Sequence, residues 1–201
     1  MYVRYYKRLI DILFSLIALI FLTPLLLLLV IAIKLSSPGP VLFKQKRAGI
    51  HKSHFHILKF RTMRIDTPKD TPTHLLENPD QWITKVGKFL RKTSLDELPQ
   101  LINIIKGEMS LIGPRPALWN QYDLISERDK YGANDIYPGL SGWAQVNGRD
   151  ELPIDVKANY DREYVENMSF GFDMKCLIKT LLKILKGEGV VEGRSSAKKN
   201  K

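Results

Sequence analysis

Residues Ile12 to Ile33 form an almost unbroken apolar run, and no other stretch limits the fold of this chain so tightly. As a helix, roughly 22 residues at about 1.5 Å each reach across a hydrocarbon core of about 30 Å, so a transmembrane anchor is the simplest reading. Two features oppose it. Thr23-Pro24 falls at the midpoint, where Pro24 brings no backbone donor and frees the carbonyl of Ile20. Arg4, Lys7 and Arg8 precede the run, and Lys34, Lys44, Lys46 and Arg47 follow it. Cationic flanks stay on the cytoplasmic side, so two of them around a break suit a re-entrant hairpin that enters and leaves by one face. The residues alone leave both readings open. A cleaved signal peptide fits poorly, because the run exceeds the usual apolar core of about 7 to 15 residues and no small-residue cleavage site follows.

The remainder has the length of one domain, 201 residues in all with 44% hydrophobic, which is enough for a real core. A formal charge of +10 and a pI near 9.6 call for an anionic partner: nucleic acid, an acidic lipid surface or a phosphorylated substrate. Cys176 is alone, which excludes an internal disulfide and suits a reducing compartment.

After a turn at Ser36-Ser37-Pro38-Gly39-Pro40, Val41 to Gln45 and Phe55 to Phe60 read as two strands of a β-hairpin, with Lys46, Arg47, Gly49, His51 and Lys52 in the loop between them. His51, His54 and His56 suggest zinc only weakly, since no cysteine or fourth ligand lies near. Lys59 and Arg61 share one strand face. Asp66 to Gln81 is a polar loop with three prolines, too long for a plain connector. Trp82, Ile83, Val86, Phe89 and Leu90 have helical spacing, as does Tyr122 to Lys130, and Pro153 introduces a helix carrying Val156, Tyr160 and Tyr164 as core positions. Met174 to Lys186 is amphipathic, with Lys175, Lys179, Lys183 and Lys186 in one stripe and leucines and isoleucines opposite, as in a helix lying in a membrane interface. Residues 187–201 lack apolar periodicity and read as a disordered basic tail.

The chemistry is concentrated in Arg91-Lys92-Thr93-Ser94-Leu95-Asp96-Glu97-Leu98-Pro99-Gln100. Leu98, Leu101, Ile102 and Ile105 recur at i, i+3, i+4, i+7, which predicts a helix from about Leu95 to Ile105 with Lys106-Gly107 closing it. Ser94 and Glu97 have capping-box spacing, and Asp96 and Glu97 fall in the first turn, where the helix dipole favours a carboxylate and free N–H groups attract phosphate. Simple capping is the plainer explanation of that pair. A nucleophile working on a phosphorylated substrate is the other.

The motifs around the pair add to it. Met109-Ser110-Leu111-Ile112-Gly113-Pro114-Arg115-Pro116 and Tyr137-Pro138-Gly139-Leu140-Ser141-Gly142-Trp143-Ala144-Gln145-Val146-Asn147-Gly148-Arg149 are rigid turns carrying an arginine. With Lys59-Phe60-Arg61-Thr62-Met63 upstream and the apolar segment before it, this order resembles the bacterial sugar transferases, in particular the small monotopic polyprenyl-phosphate phosphoglycosyltransferases. The resemblance covers nearly the whole chain. It implies an α+β monotopic membrane protein with a re-entrant helix hairpin over residues 1–35, broken at Thr23 and Pro24. Residues 36–186 would be a cytoplasmic catalytic domain with interfacial helices, and the basic tail 187–201 would follow.

The same resemblance implies the reaction. A phosphosugar passes from a UDP-sugar to polyprenyl (undecaprenyl) phosphate with release of UMP, the first membrane step of capsule, polysaccharide or glycoconjugate assembly. Asp96 is then the nucleophile and Glu97 a Mg²⁺ ligand, with Lys59, Arg91, Arg115 and Arg149 as phosphate contacts. Both termini would be cytoplasmic at the inner membrane, and a homo-oligomer stays open. Two positions depart from the family pattern: Tyr137 stands where an arginine commonly precedes Pro-Gly, and Thr23-Pro24 replaces the more usual Ser-Pro. The competing class is a non-enzymatic, membrane-anchored basic protein that binds anionic lipid or nucleic acid. It accounts for the charge but not for the carboxylate pair, and the chain lacks the aromatic interleaving of a single-strand binder.

Overall fold

The computed structural model describes residues 2–67, 81–148 and 152–186. The apolar run forms one helix, α1 (Lys7–Ser36), with Pro24 inside it rather than between two helices. Thr23 Oγ1 donates to the Leu19 carbonyl at 2.7 Å, a local bond of the kind that accompanies helix distortion. At 30 residues α1 is about 45 Å long, and it does not stand clear of the domain.

One face of α1, stepping by three and four residues through Lys7, Asp11, Ser15, Leu22, Leu29 and Ile33, is turned to the rest of the chain. Its first half packs against α3 (Gln100–Lys106) and β3 (Ser110–Ile112), and Ala18, Leu19 and Leu22 join the cluster of Phe55, Ile57, Leu101, Ile104 and Met109. Its second half, through Leu29 and Ile33, joins Phe60 and Leu90. The opposite face leaves Phe14, Ile17, Ile20, Phe21, Leu28 and Leu35 exposed. Both ends of the helix therefore touch the same domain.

Each end is tied by polar groups. At the start, Lys7 Nζ lies 2.7 Å from Asp173 Oδ2, Ser110 Oγ donates to Asp11 at 2.6 Å, and Arg8 donates to the carbonyls of Met109 and Ile104. At the end, Arg61 donates to the carbonyls of Pro38 (2.6 Å) and Ser37 (2.7 Å). Arg61 thus serves the C-terminus of α1, where a cation meets unpaired carbonyls favourably.

The hairpin is longer than the sequence suggests, with β1 (Leu42–Ala48) antiparallel to β2 (His54–Phe60) and Lys46 and Arg47 inside β1. Long cationic side chains tolerate a strand whose edge reaches solvent, so charge alone did not mark its end. The turn needs left-handed backbone at His51 (φ 52°) and Lys52 (φ 59°). Helix α2 (Lys85–Lys92) begins only after Trp82 and Ile83, because Thr84 caps it by accepting from Gly87 N at 2.9 Å. Gly87 is required there: a Cβ would collide with the Thr62 carbonyl.

The other half of the domain holds α4 (Tyr122–Asp129), β4 (Gly139–Ser141), α5 (Trp143–Asn147), α6 (Ile154–Glu166) and α7 (Phe170–Lys186). β3 and β4 pair in parallel, Ser110 with Gly139 and Ile112 with Ser141. This brings the two arginine-bearing motifs together, and any Cβ on Gly139 would meet the backbone of Gly113. Trp143, Val146, Tyr164 and Cys176 close the core there, whereas Val156, expected inside, is 36% exposed.

The lysine stripe of α7 does not simply face outward. Lys175 and Lys179 lie over the Trp143 ring, at 4.7 and 4.4 Å, while Ile178, Leu181, Leu182 and Leu185 are exposed. Most of the Asp66 to Gln81 loop and the tail 187–201 lie outside the described residues.

Candidate active site

The carboxylate pair sits just ahead of α3 rather than in its first turn. Ser94 adopts left-handed backbone (φ 56°, ψ 16°), Leu95–Glu97 forms one 3-10 turn, and Pro99 occupies the N-cap of α3. A capping box needs extended backbone at the cap, so Ser94 makes no side-chain cap bond and the predicted box is absent. Capping does not account for the two acids.

The turn is held from several sides. Leu95 packs against the cluster of Leu29, Ile33, Phe60 and Leu90. Behind it, the buried Asn103 side chain accepts from Leu58 N at 3.0 Å and donates to the His56 carbonyl at 2.9 Å, locking α3 to β2. That lock fixes Lys59, on β2, opposite Glu97.

Glu97 Oε1 receives Lys59 Nζ at 2.8 Å and Arg115 Nη2 at 2.6 Å; Oε2 has a longer contact from Arg115 Nη1 at 3.4 Å. Arg115 is itself steadied, because Arg128 Nη1 donates to its carbonyl at 2.9 Å and Arg128 is paired with buried Asp161 at 2.6 Å. Burial alone would raise the Glu97 carboxyl. The charges of Arg115 and Lys59 and their hydrogen bonds outweigh burial and hold it far below the usual range.

Asp96 is pushed the other way, to about 6, by burial first and then by the negative Glu97 beside it, with Lys59, Arg91 and Arg115 opposing the shift. Nothing among the described residues donates a hydrogen bond to its carboxylate. Lys59 is lowered, by burial and by Arg115 and Arg47, against the pull of Glu97. Two adjacent acids pushed apart in this way have separable roles: one stays a fixed anion, and the other is a basic, underbonded carboxylate.

Of the residues singled out from the sequence, Lys59, Arg91 and Arg115 are gathered around Asp96 and Glu97. Arg91 Nε donates to Thr62 Oγ1 at 2.9 Å and its charge is felt at Asp96. Arg149 lies outside the described residues. Thr23 and Pro24 belong to α1, and Tyr137 carries the Arg8 guanidinium 5.2 Å above its ring.

Arg47 joins the group unforeseen. Its signal was strand periodicity: Arg47 pairs with Phe55 and Phe43 with Lys59, so 43, 47, 55 and 59 share one face of the hairpin. Among the described residues no three His, Cys, Asp or Glu side chains cluster as metal ligands, and His51 Nδ1 lies 3.0 Å from Asp135 Oδ1.

The sequence that places two carboxylates and several cations here has recognisable relatives. Residues 2–187 match the model of the bacterial sugar transferase family, and the chain belongs to that family. It is 40% identical to an uncharacterized sugar transferase, EpsL, of Bacillus subtilis (strain 168), over 92% of this chain and 89% of the relative. It is 40% identical to the UDP-glucose:undecaprenyl-phosphate glucose-1-phosphate transferase of Escherichia coli (strain K12) over 90% of this chain, which spans only 40% of that relative's length. The UDP-N-acetylgalactosamine-undecaprenyl-phosphate N-acetylgalactosaminephosphotransferase of Aeromonas hydrophila is 39% identical over 91% of this chain and 44% of its own length.

Proposed function

We propose that this protein transfers a phosphosugar from a UDP-sugar to polyprenyl phosphate in two displacements through Asp96. The observation that carries the reading is the contrast inside the pair: Glu97 pinned by two cations, and Asp96 raised to about 6 with no donor on its carboxylate among the described residues. At neutral pH such a group is mostly ionised yet more basic than an ordinary aspartate, which suits a carboxylate nucleophile. The printed activities of the Escherichia coli and Aeromonas relatives support the donor and acceptor classes.

In the first displacement an Asp96 oxygen attacks the sugar-bearing phosphorus. A bond forms between that oxygen and phosphorus, the bridging P–O bond breaks, and UMP departs with its electrons. In the second, an oxygen of the lipid phosphate attacks the same phosphorus, and the acyl-phosphate bond breaks to return the Asp96 carboxylate. Lys59, Arg91 and Arg115 neutralise phosphate oxygens as two anions approach, a task for which the forked guanidinium is shaped. Arg149 is assigned the same task by its motif.

Magnesium belongs to the proposal. Both close cations sit on Glu97 Oε1, so Oε2, with only a 3.4 Å contact from Arg115 Nη1, remains a hard oxygen donor, and a carboxylate oxygen of this kind fits an ion that takes one or two carboxylates and completes its shell from phosphates and water. When bound, Mg²⁺ would neutralise diphosphate charge.

The membrane arrangement follows the same logic. A spanning helix would carry one end away from the domain, whereas both halves of α1 pack on one body and expose an apolar face, which supports a helix that stays on the cytoplasmic side with both termini there.

Mixing enzyme with a UDP-sugar and no acceptor should release at most one equivalent of UMP and add one phosphosugar mass to the peptide carrying Asp96, read by intact-protein and peptide mass spectrometry. Full turnover by Asp96→Asn overturns the mechanism. An adduct on Glu97 exchanges the two roles and keeps the reaction.

A further inference from the structure

We infer that the cleft on the far side of Arg115 from Glu97 holds the nucleotide half of the donor, with Gln145, Lys157 and Arg47 gripping it; this rests on the phosphosugar-transfer reading above. The cleft opens to solvent. Its polar lining is Arg47, Arg115, Gln121, Arg128, Gln145 and Lys157.

Arg115 fixes the direction. It bonds Glu97 at 2.6 Å and also lines the cleft, so it is the wall common to the reacting carboxylates and the space behind them. A diphosphate with its sugar-bearing phosphorus at Asp96 that crosses Arg115 carries its nucleoside into that space. Arg128 is committed to Asp161 and to the Arg115 carbonyl, so it shapes the floor. Arg47 and Lys157 supply the positive charge around a leaving nucleoside monophosphate.

Gln145 supplies recognition. Among the described residues its buried Oε1 has no hydrogen-bond partner, and its Nε2 makes only a long bond, 3.4 Å, to the Leu140 carbonyl. A primary amide with an unused acceptor and a weakly used donor complements the N–H and carbonyl edge of a uracil ring, and that base would satisfy both. The acceptor lipid is placed elsewhere by the fold. The cleft walls come from β1, the turn after β3, α4, α5 and α6, whereas the exposed apolar surface runs along α1 and α7.

The test is a UMP titration of the full chain in detergent by calorimetry, beside steady-state kinetics with a UDP-sugar and polyprenyl phosphate. Gln145→Leu, Gln145→Glu and Lys157→Met are expected to weaken UMP binding about tenfold or more each, the carboxylate variant most, because it repels both the phosphate and the base carbonyls. Donor KM should rise with UMP Kd and more than kcat falls, with acceptor KM unmoved. Gln145→Glu is isosteric and keeps the fold comparison fair; its melting temperature should match the wild type. Unchanged UMP affinity in folded variants, no UMP binding by the wild type, or a rise in acceptor KM instead of donor KM would overturn the assignment. Failure of every UDP-sugar to release UMP defeats the transfer reading, and the UMP titration still decides the cleft.

Discussion

Two carboxylate pairs in this molecule are built from nearly the same parts and come out opposite. Asp11 and Asp173 share Lys7 at the root of α1, and each of their four oxygens has a partner: Tyr164 and Tyr2 donate to Asp173 at 2.7 and 2.6 Å, and Ser110 and Leu111 N to Asp11 at 2.6 and 3.3 Å. Asp96 and Glu97 share Lys59 and Arg115, and both close bonds go to Glu97. The first pair is a fully satisfied buried network, which specifies how α1 seats on the domain. In the second, no donor among the described residues reaches the Asp96 carboxylate. The two pairs differ in how their hydrogen bonds are shared out.

The comparison breaks most sharply at its two aspartates. Asp96→Asn should cost roughly 10³-fold or more in transfer rate, the scale seen when a nucleophile is removed. It should also stabilise the fold at neutral pH. The folded pKa of Asp96 is raised above its unfolded value, so folding favours the proton and stability increases as pH falls from above 6 toward 4, which means the ionised group is a burden at pH 7.5. The melting temperature should rise by roughly 2 to 4 °C for each kcal/mol relieved. A melting temperature that falls would show Asp96 to be a structural acid.

Asp173→Ala should do the reverse. It leaves Lys7 buried against one distant acid, strips the Tyr2 hydroxyl of its acceptor and leaves Tyr164 only the Ile112 carbonyl, at a cost of about 3 to 5 kcal/mol in chemical unfolding. Whatever fraction folds should still form the covalent adduct. Loss of the adduct in folded protein would join the two networks into one site.

A smaller effect sharpens the electrostatics. The rate of UMP burst in the wild type should fall below a limb near pH 6, and Lys59→Met should move that limb upward, because Lys59 lowers the Asp96 pKa by its charge. A limb that stays in place would mean that the titrating group is not Asp96. Smallest of all, Lys183→Gln or Lys186→Gln, each alone, should weaken binding to anionic vesicles by about 1 kcal/mol. These two lysines are the better probe of the stripe, since Lys175 and Lys179 are spent on Trp143.

Much of the fold was legible where periodicity was long. α6 and α7 stand close to where spacing puts them, because three or more turns of a repeating apolar face leave little choice, and the shorter α4 falls within the stretch Tyr122 to Lys130 expected to be helical. The site was legible by motif, in Lys59, Arg91, Arg115, Asp96 and Glu97, but its geometry was not. Ser94 and Glu97 have the spacing of a capping box, yet the left-handed Ser94 turns the chain so that Glu97 meets Lys59, a residue 38 positions away. Local rules see the box, and only tertiary pairing sees the salt bridge. The charges of Lys46 and Arg47 read as a loop, yet no turn residue precedes Gly49 and β1 runs on through both to Ala48, which brings Arg47 to the cleft it lines.

The seating of α1 has a consequence for how such a protein is made. Phe60, Leu90, Leu101 and Ile104 are covered in part by that helix, and the turn that bears Asp96 leans on it through Leu95. A chain clipped between α1 and β1 would not shed a tether and leave a working catalyst in solution, because it would lose a wall of its own core. Removing α1 is therefore expected to cost the domain its cooperative unfolding transition, and not only its apolar outer face.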